Sequence, residues 1–156
     1  MAVTPDRELP FDEDDTAEVL AVLRDLRQRA TGWVNLLPQV EPGHEPAPRN
    51  PVVGIFSARG EAVPMATWSA PANVGGRANL GIEHGSGPQA LAKLARFDLP
   101  LEPGWLKIAD HTRRGLVVAS PKDVDPEREL WWLLSATHIL SVVPLTSTWL
   151  AKIYTP

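Results

Sequence analysis

The chain has 156 residues, a formal net charge of −4 and no cysteine. Zero cysteines exclude disulfides, thiol catalysis and zinc–thiolate sites. The acidic balance disfavours nucleic acid as a partner, because phosphate binding draws on clustered Lys and Arg and no basic run exceeds Arg113-Arg114. A hydrophobic share of 44% suits a chain able to bury roughly 70% of its unfolded surface, so one self-supporting core is expected.

Residues 1–13 are acidic and rich in turn formers, and read as a flexible lead-in to a single domain over 14–156. They lack the basic and apolar regions of a signal peptide. The most apolar stretch, 130–145, falls short of the ~20 residues a spanning helix requires. A soluble, cytoplasmic protein with no membrane partner is expected.

Helical periodicity begins near Asp15. Val19, Leu20, Leu23, Leu26 and Ala30 make one apolar stripe, and Gly32 marks the stop. Asp25 and Arg29 have the spacing of an i,i+4 ion pair. Residues 32–37 are apolar but too short to assign, and the four prolines between 42 and 51 predict a loop. Residues 52–58 and 62–69 predict a hairpin, with Pro64 pushing its second arm towards a sheet edge. Residues 78–84 alternate apolar and polar, as a half-buried strand does.

Ser86-Gly87-Pro88-Gln89 has capping-box spacing ahead of a second helix. A further hairpin follows over 105–120, turning at 111–115. Asp125-Pro126-Glu127 then starts a third helix that runs to about Leu140, and a final strand covers 148–154. The expected architecture is two-layer α+β: three helices on a mostly antiparallel sheet of five to six strands, in the order α-β-β-β-α-β-β-α-β.

No motif identifies a catalytic centre or a cofactor. The 85–88 turn lacks the endings of phosphate and dinucleotide loops, so a simple helix cap explains it. His84, His111 and His138 fall on different elements without the close pairing of metal ligands, so neither a metal nor any other cofactor is expected. There is no G-x-S-x-G nucleophile turn.

Two constellations stand out. Asp110-His111 with Arg113 and Arg114 forms the densest polar cluster. It reads either as a solvated turn between two apolar strands or, together with Trp105, as a Trp-lined pocket for a small anionic ligand, guanidinium forks matching carboxylate or phosphate oxygens. The second is the third helix, apolar nearly all round. Adjacent Trp131 and Trp132 diverge by about 100° and cannot share one narrow face. Such a helix needs cover on more than one side, either from the domain's own loops and final strand or from a partner; in the second case Trp131, Trp132 and Ile139 are the interface, since a large exposed apolar patch is uncommon on a monomer. The leading expectation is a non-enzymatic binding or scaffold domain whose partner is itself, as a homodimer, or another protein. A small-molecule binder or enzyme at His111, Arg113 and Arg114 is the alternative.

Overall fold

A computed structural model describes residues 3–46 and 62–156. Among them the elements run β1 (Arg7–Asp12), α1 (Ala17–Arg29), β2 (Trp33–Val40), β3 (Met65–Ser69), β4 (Asn79–Glu83), α2 (Ala90–Arg96), β5 (Leu106–His111), β6 (Gly115–Ala119), α3 (Pro126–Leu140) and β7 (Leu145–Tyr154). All strand pairs are antiparallel, in one seven-stranded sheet ordered β1-β7-β2-β3-β4-β6-β5. The α+β class is as expected, with seven strands where five to six were predicted.

The additional strands have clear physical origins. Residues 7–12 belong to the segment read as a flexible lead-in, yet they form β1 on the outer side of β7. Leu9 and Phe11 bury there while Glu8 and Pro10 face out. Pro10 lacks an N–H, which an edge strand tolerates because only one of its sides is paired. The unassigned GWVNLL segment contributes β2, which lies in the middle of the sheet between β7 and β3.

That placement corrects the edge assignment of the 62–69 arm. Pro64 precedes β3, so it costs no ladder bond, and β3 lies between β2 and β4. The predicted partner arm, 52–58, lies outside the described residues.

One face of the sheet carries the helices. Phe11, Trp149, Val34, Trp68, Leu80 and Val118 all bury on it. On top, α3 packs on β3 and β4 with α1 and α2 beside it. The helix ends depart from expectation in two places. α1 closes at Ala30 in a left-handed conformation, before Gly32 is reached. Gly32 is still required, because a Cβ there would stand 2.5 Å from the Tyr154 carbonyl oxygen.

The predicted capping box does not form. Ser86 instead hydrogen bonds His84, and α2 begins after Gln89 in the left-handed region. Its first N–H groups, from Ala90 and Leu91, are taken by the two carboxylate oxygens of Asp110, each at 3.1 Å. A strand residue thus replaces the missing local cap.

Candidate functional site

The start of α3 follows its sequence signals. The Asp125 side chain accepts the Glu127 N–H at 3.0 Å, and Pro126 occupies the first turn. That backbone bond, followed by the Arg24 guanidinium at 3.3 Å, holds the Asp125 carboxyl below its ordinary pKa. Asp125 is thereby locked as an ionised cap, and the helix rises from a fixed point.

The inward side of α3 is secured by a polar contact that sequence patterning does not reveal. Glu129 is completely buried. Its carboxylate accepts the Trp68 indole N–H at 3.1 Å, the Arg27 guanidinium at 2.7 Å and the Ser120 hydroxyl. Arg27 also donates to the carbonyls of Gly76 and Lys122, both at 3.3 Å. A buried charge survives only when paired and hydrogen-bonded, and Glu129 is both. This cluster clamps α3 to α1 and the sheet.

The two tryptophans part as helix geometry requires. Trp132 points in, is 2% exposed, and meets Trp105 with ring centroids 5.6 Å apart. Trp132 therefore belongs to the core, which corrects its assignment to a partner surface. Ile139 is partly buried and packs against the same core. Trp131 points out and is 58% exposed.

Two hollows flank the Trp131 ring. One, of about 340 Å³, is floored by Leu130 and Leu134 and walled by Glu13, Thr16, Ser135 and His138. The other, of about 610 Å³, is bounded by Glu102, Asp125 and Arg128. Glu127 lines both. The far wall of the first hollow is held rigidly. Glu13 accepts the Trp149 indole N–H at 2.8 Å and the His138 Nε2–H at 2.5 Å, and His138 stands edge-on to Trp149. In the second hollow Arg128 makes a two-pronged bond to Glu102, at 2.8 and 2.6 Å, and that bond raises the guanidinium pKa. The Glu127 carboxylate has no hydrogen bond or ion pair among the described residues.

The residues of the expected anion pocket are not brought together. Trp105 is buried against Trp132, whereas His111 lies at the other end of β5, roughly 20 Å away at the rise of an extended strand. His111 turns back on its own hairpin, its Nδ1 accepting the N–H groups of Arg113 and Arg114 at 3.1 Å each. Arg114 lines a separate hollow of about 230 Å³ on the sheet face away from the helices, with Met65, Thr67, Gly81, Glu83 and Val117. His84 is completely buried, its Nδ1 accepting the Ser86 hydroxyl at 2.9 Å. Among the described residues no three His, Asp or Glu side chains converge on a metal position, and no helix is long and apolar enough to cross a membrane.

Comparison with protein-family models, curated proteins and solved structures finds no match. Sequence reasoning singled out Trp131, but it passed over Glu13 and weighed His138 only as a metal ligand. These two lie 125 residues apart and share no local pattern.

Proposed function

We propose that this chain is a non-enzymatic binding domain that docks a protein, either another chain or a second copy of itself, on the Trp131 face of α3. One observation carries the reading: Trp131 is 58% exposed on a ridge between two hollows, while its neighbour Trp132 is spent on the core. Exposed indole is a favoured anchor for partners, since it offers a large rigid surface with one polar handle. The residues around it suit recognition rather than chemistry. His138 is committed to Glu13 through Nε2, and Arg128 to Glu102.

The test compares Trp131→Ala with Phe97→Ala, a second exposed aromatic on another helix end, 61% exposed. Each full-length form is used to isolate partners, and each recovered partner is re-measured in purified form. Sedimentation at tens of micromolar covers self-association. Loss of binding or of dimer in Trp131→Ala alone supports the reading. Equal behaviour of both variants and the parent would sink it.

A second reading, a small anionic ligand at Arg114, has the hollow on the open sheet face in its favour. Glu83 on the same rim opposes an anion, so the helix surface is preferred. A rise in melting temperature with anionic metabolites, abolished in Arg114→Ala, would reverse that preference.

A further inference from the structure

We propose that the Trp131 groove receives an extended, lysine- or arginine-bearing segment of another protein, with one basic side chain lying over the Trp131 indole against Glu127. The proposal rests on the docking reading above and adds the chemistry of the occupant.

Charge decides the sign. Four carboxylates border the two hollows, but two are already answered: Glu102 by Arg128 and Asp125 by Arg24. Glu127 is exposed and has no partner among the described residues. Glu13 is held by two hydrogen bonds, from Trp149 and His138. The unanswered charge beside Trp131 is therefore that of Glu127, which borders both hollows and repels an anion from either. A cation gains twice, from the carboxylate and from the electron-rich face of the indole. The apolar floor of Leu130 and Leu134 accommodates the aliphatic stem that Lys and Arg bring with their charge.

Shape decides between a lone cation and a chain. The lined part of α3 runs from Glu127 to His138, about 16 Å along the axis at the helical rise. That length matches about five residues of extended peptide. A second copy of this chain is the poorer occupant. It would bring a second unanswered Glu127 to the same face, and the chain's net charge of −4 opposes close approach of two copies.

The experiment uses the full chain on an array of immobilised pentapeptides in which every residue type is sampled at every position. Lys and Arg should be enriched at one position or more. Binding of the selected basic peptides, measured in solution, should fall at least about fivefold in Glu127→Gln and in Trp131→Ala. Charge reversal in Glu127→Lys should shift the preference towards Asp and Glu. Asp98→Asn removes an exposed acid away from the groove, and it should leave binding within about twofold.

Equal loss in Asp98→Asn would mean diffuse attraction to an acidic protein and would overturn the proposal. So would an array with no Trp131-dependent binder. Apolar or acidic peptides that need Trp131 would leave the docking reading standing and remove the basic partner. A Trp131-dependent dimer on sedimentation would put a second copy in its place.

Discussion

Arg27 of α1 meets Glu129 of α3 at 2.7 Å, and the carboxylate it meets is completely shielded from water. The same carboxylate takes the Trp68 indole N–H from β3, so one side chain joins two helices and the sheet. Removing it leaves a mostly buried guanidinium without its counter-charge and the Trp68 indole N–H without its acceptor. Glu129→Ala should therefore cost about 3–5 kcal/mol. Glu129→Gln, which keeps one acceptor oxygen, should cost less. Urea denaturation of the two variants checks both the size and the order.

Trp131 and Trp132 should respond oppositely to truncation. Trp132→Ala opens a cavity beside Trp105 and should lose about 3–5 kcal/mol. Trp131→Ala removes an exposed ring and should stay within about 0.5 kcal/mol of the parent. Comparable losses in the two would mean that Trp131 has a structural role.

Asp110 caps α2 from a different element, and that helix has only 7 residues. So short a helix cannot hold itself together in water. Asp110→Ala should cost about 1–2 kcal/mol, the loss typical of a helix cap. Amide hydrogen exchange should accelerate at Ala90 and Leu91 well before any change at the Trp68 amide.

Gly115 has φ +96°, and a Cβ on it would stand 2.3 Å from the Ile82 carbonyl oxygen. Gly43 has a similar φ of +84°, with nothing within 4 Å. Alanine at 43 meets only the backbone strain, about 1 kcal/mol. Alanine at 115 must also force β4 and β6 apart, and its loss should exceed that of Gly43→Ala by at least about 1 kcal/mol. Thermal melts of the pair separate the two effects.

Burial lowers the pKa of His84, an effect that Lys93 reinforces and Asp110 opposes. The native state thus binds the proton less readily than the unfolded chain, whose histidine titrates near 6.5. The contribution is fully present above that value. It is lost as pH falls towards and through the lower folded value, because the unfolded state takes up the proton first. The urea midpoint should drop between pH 7.5 and 5, and in His84→Asn this part of the drop should disappear. The depressed carboxyls of Asp6, Asp12 and Asp125 act in a separate window, below about pH 4.

Much of the fold was legible because its signals are local. The stripe on α1, the Asp125-Pro126-Glu127 start of α3 and the β5–β6 hairpin each depend on residues within a turn or two of one another. β1 escaped because Pro10 and its acidic neighbours have the composition of coil, and only β7 supplies the pairing that makes a strand of them. The missed α2 cap has the same cause: Asp110 lies 20 residues beyond the N–H it satisfies.

The sequence by itself determined that the third helix is too apolar to be covered on one side, and that adjacent indoles must diverge by about 100°. Which indole turned inward was a tertiary matter, decided by Trp105 arriving from the start of β5 to meet Trp132. The acidic setting of the other was decided in the same way, when Glu13 came within 2.5 Å of His138 from the opposite end of the chain. Periodicity reports which faces a helix has; only the packed core determines which of them is left to the solvent.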